Sequence, residues 1–294
     1  MIKRQQIYKV LSIAGFDGSG GAGLQADLKT FSALGCYGTT ALTSLPVQNT
    51  TGVKAIYHIE TKCVEEQIKA ILDDIKIDAV KIGMLHRQDI IEAVAKILSD
   101  YDLQNIVLDP VMVAKSGDKL LLPDAIHSMQ EKLFPLTTIL TPNLMEASIL
   151  LGKRIETYEE MEKAALELLK TGPRAVVVKG GHFQGDADDC LMYREHSEIK
   201  THWFKAKRIE TKNTHGTGCT FSAAIASFLA RGYNILDAVA HAKKYLTKSI
   251  EDGADLTIGK GNGPVHHFHH LWDYLSSLEK TRLNNDYNTH SRSA

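Results

Sequence analysis

Val10-Leu11-Ser12-Ile13-Ala14-Gly15-Phe16-Asp17-Gly18-Ser19-Gly20-Gly21-Ala22-Gly23 is the stretch on which the fold turns. A short apolar run with buried-strand character enters a glycine-rich turn, and residues 24–34 follow with helical spacing. Strand, glycine turn and helix together open a doubly wound α/β sheet. Gly18, Gly20 and Gly23 match the dinucleotide fingerprint, which needs an acidic residue about 20 positions later to hold a ribose hydroxyl. That region here is 40–48, and it carries no acid. No Gly-Lys-Ser/Thr follows the glycines, so the turn is not a P-loop either.

Outward from this start the pattern repeats. Strands are expected at 53–59, 79–83, 105–108, 138–140 and 175–178, and helices at 63–75, 90–98, 123–133, 144–151 and 158–170. Most of the strands are continuous apolar runs, as burial on both faces requires, and hairpin signals are few. The expected fold class is therefore α/β, with a mostly parallel central sheet and helices on both faces. Residues 189–193 and 199–207 read as an antiparallel pair at one edge. One domain is expected over 1–278, with 279–294 a polar, mobile tail.

The chain has 294 residues and a formal net charge of -1, with no basic run that would suit nucleic acid. No apolar stretch approaches the roughly 20 residues that span a bilayer, so no membrane association is expected. The N-terminus lacks the apolar core of a signal peptide. Its four cysteines form no CxxC pair, which excludes a zinc or disulfide framework. These features point to a cytoplasmic protein.

The chemistry gathers in Thr214-His215-Gly216-Thr217-Gly218-Cys219. Phe221, Ala224, Ile225, Phe228 and Leu229 give the helix that follows one apolar face, and Arg231-Gly232 ends it. A helix opening on two glycines offers unpaired N–H groups and a positive dipole end, a cradle for phosphate or an oxyanion. The same pattern suits close helix packing around a buried cysteine. Other polar groups collect where strands end: Asp17, Gln48, Met84, Asp109, Asn143, Glu146 and Lys179 to His182. In an open α/β sheet that edge binds ligands. Asn143 and Glu146 share a helix face, as a capping box or as donors to a water-rich magnesium ion, and the two roles are compatible. Asp27 can face the glycine turn or serve as a helix N-terminal acid. His266-His267-Phe268-His269-His270 is read as a surface or docking segment, because consecutive histidines point in different directions.

With these pieces in order, the chain resembles the bacterial hydroxymethylpyrimidine/phosphomethylpyrimidine kinases of thiamine biosynthesis, within the ribokinase-like superfamily. The resemblance rests on 18–30, Val47-Gln48-Asn49-Thr50, Lys81-Ile82-Gly83-Met84-Leu85 and Asp109-Pro110-Val111-Met112. It continues through Lys115-Ser116-Gly117, Thr141-Pro142-Asn143 with Glu146, Lys179-Gly180-Gly181-His182, 213–219 and 259–268. It implies ATP-dependent phosphorylation of 4-amino-5-hydroxymethyl-2-methylpyrimidine and then of its monophosphate, with ATP and Mg2+. Carried over position by position, Asp27, Gln48, Met84 and Val111 would line the pyrimidine pocket. Asp109, Asn143 and Glu146 would serve the magnesium, and Lys179 and Lys243 the nucleotide. Gly216, Thr217, Gly218 and Cys219 would form the anion hole, with Cys219 where sugar kinases of the superfamily place an aspartate base. Gly18 departs from the proline that many relatives carry. The resemblance also implies a homodimer, and 114–118 suits a lid. Three competitors stand beside it: a pyridoxal/pyridoxine kinase, a thiol hydrolase using Cys219 with His215 or His182, and a non-catalytic pyrimidine sensor.

Overall fold

The computed structural model describes residues 6–112, 123–181, 183, 185–272 and 274–277. Strand β1 (Tyr8–Ala14), helix α1 (Gly23–Ala33) and β2 (Cys36–Leu42) come first, then β3 (Ser44–Asn49), β4 (Gly52–His58) and α2 (Thr61–Leu72). The chain continues through β5 (Ala79–Ile82), α3 (Gln88–Asp100), β6 (Ile106–Leu108), α4 (Pro123–Ser128) and β7 (Ile139–Leu140). Next come α5 (Leu144–Leu151), α6 (Tyr158–Leu169), β8 (Ala175–Lys179), β9 (Asp189–Glu195) and β10 (Glu198–Phe204). Helices α7 (Thr217–Ala230) and α8 (Ile235–Glu251) close the order.

Eight strands form one sheet in the order β10-β9-β8-β7-β6-β5-β1-β2. From β2 to β8 the pairings are parallel, and β9 and β10 add antiparallel strands at the edge, as the sequence suggests. Side chains alternate across a strand, so each apolar run feeds two cores. Val10, Ala79, Val107, Ile139 and Val177 pack with α7 and α8, whereas Leu11, Val80, Ile106, Leu140 and Val176 pack with α3 and α6. Helix ends are set by polar caps: Thr157 and Glu160 close a capping box on α6, and the Asn234 side chain accepts from the Asp237 amide on α8. That amide and the Ala238, Val239, Ala242, Tyr245 stripe are the sequence signals for α8, a helix beyond those expected.

Several readings are corrected. The stretch 40–48 spans parts of two strands, β2 and β3. The main sheet takes β2, and at Thr43 the chain turns a corner, its N–H donating to Ala14 O and its hydroxyl to Met84 O. β3 then pairs only with β4, antiparallel, so Gln48 and Asn49 sit on a separate ribbon rather than at the main sheet's edge. The helix expected over 123–133 stops at Ser128 and widens into a π-turn over Met129–Leu133. Helix α7 is not one-faced. Every residue from Thr220 to Ala230 is buried, because small Ala223, Ala226 and Ala230 let α1 and α8 cover the side away from the sheet. The 114–118 lid and the 279–294 tail lie outside the described residues. Among the described residues, no helix is long and apolar enough to cross a membrane.

Candidate active site

After β1 the chain moves to β2 on one side and later returns to β5 on the other, which makes the C-terminal ends of β1 and β5 the topological switch point. A cavity of about 480 Å³ opens there. Gly15 and Phe16 after β1, Lys81 and Met84 at the end of β5, and Asp109 and Val111 after β6 line it. Gln48, from the β3–β4 ribbon, forms a side wall and donates from Nε2 to Phe16 O at 3.2 Å.

The opposite wall is the start of α7. Gly216, the N-cap, has φ +78, and a Cβ there would lie 1.7 Å from Gly21 O. Only glycine combines that left-handed backbone with so close an approach. Thr217, Gly218 and Cys219 form the first turn and line the cavity; Thr217 N–H donates to Thr214 O at 3.4 Å, and the Gly218 and Cys219 amides belong to a first turn, which lacks helical acceptors one turn back. A second cavity of about 220 Å³ lies beyond and shares Asn143, Lys179, Thr214, Thr217 and Gly218 with the first. The two spaces therefore meet at the glycine loop. On the far side, Lys243 bonds Asp189 Oδ2 and Ala187 O, both at 2.6 Å.

Charge collects at the junction. Lys179 Nζ lies 2.9 Å from Asp109 Oδ1, and a Cβ on Gly218 would sit 3.3 Å from Nζ and 3.4 Å from Asp109 Oδ2. Burial alone would lower the Lys179 pKa, but attraction to Asp109 holds it above the usual lysine range. Asn143 and Glu146 close the capping box: Asn143 N–H donates to Glu146 Oε2 at 2.7 Å, and Glu146 N–H to Asn143 Oδ1 at 2.9 Å. Burial pushes the Glu146 carboxyl up to about 7, against the pull of Lys179. Burial likewise raises the Cys219 thiol to about 11, opposed by the Lys81 ammonium. At neutral pH Cys219 is a thiol, not the thiolate that a helix start alone would favour.

The site brings together Gln48, Met84, Val111, Asp109, Asn143, Glu146, Lys179 and 216–219. Asp27 stands behind the wall instead of on it. Its carboxylate is fully buried, accepting from Lys81 Nζ at 2.8 Å and Ser12 Oγ at 2.5 Å, and Lys81 fills the wall position in its place. Burial raises the Asp27 carboxyl despite the Lys81 ammonium beside it; burial alone would lower Lys81, but attraction to Asp27 holds it above the ordinary lysine range. A lysine inside the apolar run Ala79-Val80-Lys81-Ile82 was the available signal, since a buried charge needs a partner. The histidine run is also corrected. His267 is buried, its Nε2 lies 3.0 Å from Thr220 Oγ1, and burial lowers its pKa to about 3. His215 turns its Nε2 to Asp17 Oδ2 at 2.9 Å, which engages the nitrogen a thiol hydrolase would need as its base. His182, the other candidate base, lies outside the described residues.

An open α/β sheet, a glycine-built anion cradle at a helix start and two cavities meeting there define a small-molecule phosphotransferase. Comparison with known proteins agrees. The phosphomethylpyrimidine kinase family matches residues 17–266. The hydroxymethylpyrimidine/phosphomethylpyrimidine kinase of Escherichia coli is 48% identical over 263 residues, covering 89% of this chain and 98% of its own. Among solved structures, a phosphomethylpyrimidine kinase from Clostridium difficile superposes with TM-score 0.72 at 42% identity, covering 83% of this chain and 99% of its own. An ADP complex of Bacillus subtilis pyridoxal kinase superposes with TM-score 0.80 at 38% identity, covering 89% and 98%. The chain belongs to the phosphomethylpyrimidine kinase family.

Proposed function

We propose that this chain transfers the γ-phosphoryl group of ATP first to the hydroxymethyl group of 4-amino-5-hydroxymethyl-2-methylpyrimidine and then to the resulting monophosphate. The observation that carries the reading is the junction of the two cavities at Gly218, where a phosphoryl group can pass from one space to the other across the α7 amides. Gln48 offers both a donor and an acceptor to an aminopyrimidine edge, while Met84 and Val111 supply apolar contact. Lys179 and Lys243 face the nucleotide-side space. The backbone of 216–219 receives the charge that builds on the transferred group.

Magnesium belongs to the same proposal. Asp109, Asn143 and Glu146 are hard oxygen donors around the junction and suit an ion that keeps most of its waters. Among the described residues, no three His, Cys, Asp or Glu side chains gather to hold a metal on their own, a donor set suited to an ion that arrives with nucleotide phosphates. Bound there, the ion would neutralise phosphate charge. The homodimer implied by the resemblance and the cytoplasmic location expected from the sequence features are further parts of the reading.

Mass spectrometry of products from hydroxymethylpyrimidine and magnesium-ATP tests it. Both mono- and diphosphate are expected, and absence of both sinks the proposal. The likeness to pyridoxal kinase supports one second reading, a vitamin B6 kinase, for which pyridoxal would give a monophosphate while the pyrimidine gave none.

Cys219 is assigned an assisting role, because a thiol with pKa about 11 is a weak base at neutral pH. Alkylation of Cys219, followed by peptide mass, is expected to keep accelerating with pH up to about 10. A plateau below pH 8 would reveal a thiolate. Cys219→Ala is expected to lower kcat by less than about 100-fold, whereas a loss near 10⁴ would restore it as the base.

A further inference from the structure

Asp17 carries more bonds than a turn residue needs. Its Oδ1 accepts from Ser19 N–H at 2.9 Å and Ser19 Oγ at 2.7 Å. Its Oδ2 accepts from Gly21 N–H at 3.1 Å, Ala22 N–H at 2.7 Å and His215 Nε2 at 2.9 Å. Burial would raise this carboxyl, but the bonds from His215 and Ser19 bring it down to about 2, so it is an acceptor only and His215 Nε2 must carry the proton. The ring also packs against the turn: a Cβ on Gly21 would lie 2.5 Å from His215 Cδ2 and 3.0 Å from Pro264 Cβ. The turn that bears Ala22 and Gly23 on the acceptor cavity is thus fastened to the residue before the anion cradle.

The backbone of His215 makes a second connection. Its N–H donates to Gly263 O at 3.0 Å, and it bridges to Pro264 as a parallel pair. One step earlier in the chain, Asn262 N–H donates to Thr50 O at 2.9 Å and Gly261 N–H to Thr50 Oγ1 at 3.2 Å. A Cβ on Gly261 would meet Thr50 O at 1.9 Å. Thr50 lies in the turn of the β3–β4 ribbon, two residues after Gln48. Segment 259–264 therefore straps the Gln48 wall to the cradle, with Asn213 anchoring its lead-in through bonds to Gly253 O, Ala254 O and Leu256 O.

We propose that His215 is a positioning residue that holds both walls of the acceptor cavity, the glycine turn and the Gln48 ribbon, at a fixed distance from the anion cradle. His215 lines the cavity, but its Nε2 is turned to Asp17. Its side-chain bond to Asp17 sets one wall and its backbone bridge sets the other. This deepens the proposed kinase reading, because alignment of acceptor oxygen with phosphoryl group is what such a reaction most requires.

Substitution separates the side-chain bond from bulk. Gln places an amide nitrogen near the reach of Nε2 and keeps the donor; Leu fills similar space without one. His215→Leu is expected to lower kcat about 100-fold, the scale of an ångström of misalignment, with KM for the alcohol and for ATP within a few-fold of wild type. His215→Gln is expected to recover most of the loss. Equal losses in Leu and Gln, or a Leu variant within threefold of wild type, overturn the proposal. Amide hydrogen exchange gives a readout independent of the substrate. Gly21 and Ala22 should lose protection in His215→Leu and regain it in His215→Gln, and unchanged protection in the Leu variant also overturns it. If the Leu variant does not fold, Asp17→Asn serves instead, since a neutral amide forfeits part of the acceptor set. The same exchange loss at 21–22 is expected there, and its absence counts against the assignment. Wild-type protein inactive on both the pyrimidine and pyridoxal would sink the kinase substrate reading, while the exchange result would still decide the role of His215.

Discussion

Gly216→Ala is expected to cut turnover about 10²- to 10³-fold, the cost of displacing an anion-hole donor. Two independent effects act together. The backbone at 216 has φ +78, which costs a residue with a Cβ on the order of 1–2 kcal/mol. The added Cβ would also lie 1.7 Å from Gly21 O, and backbone cannot rotate aside as a side chain can. The loop must therefore back away from the glycine turn, which drags the Thr217 to Cys219 amides off the cavity junction. Steady-state kinetics beside a thermal melt distinguish this from unfolding. A folded variant with kcat within fivefold of wild type would show that the cradle tolerates movement, and would falsify its role as a fixed anion hole.

Lys81→Met is expected to destabilise the protein by about 3–5 kcal/mol, the usual cost of orphaning one member of a buried ion pair. Both side chains are fully buried, 2.8 Å apart. Among the described residues Asp27 Oδ1 has no hydrogen-bond partner, and without the ammonium Ser12 Oγ alone of them would remain to support the carboxylate. Asp27→Leu in the same background removes the stranded charge, and the double variant should recover much of the loss in urea unfolding. A double variant no more stable than Lys81→Met would mean the two side chains are not energetically coupled. Activity should fall in both, because Lys81 also lines the acceptor cavity.

The fold was legible where one rule governed a whole element. Continuous apolar runs such as 106–108 and 175–178 read as strands buried on both faces, and the structure places both in the sheet interior. The ribbon was not legible, because its turn lacks the usual glycine pair. Asn49 Oδ1 instead accepts from Thr51 N–H and Thr51 Oγ1, a side-chain-built turn that an apolar pattern does not announce. Apart from Ser44, residues 39–47 are β-branched or apolar across the corner at Thr43, so the periodicity does not mark where one sheet ends and another begins. At the site, glycines and strand-end polar groups were readable from position alone. Asp27 was misplaced by one layer because a helix period gives the face but not what stands between that face and a cavity. His215 and Asp17 are 198 positions apart, and their contact exists only once the fold is closed.

Among the described residues the β3–β4 ribbon pairs with no strand of the main sheet, while α7 is buried from Thr220 to Ala230. The two halves of the cavity consequently answer to different constraints. A change on α7 must satisfy every neighbour in a packed interior. Gln48, half exposed and outside both core clusters, has fewer packed neighbours to satisfy, its side chain bonding Phe16 O. Such a division would let the side chain at 48 change with less disturbance of the α7 interior than a change on the helix itself. It is a physical reason for chains named for pyrimidine and for pyridoxal to share one scaffold.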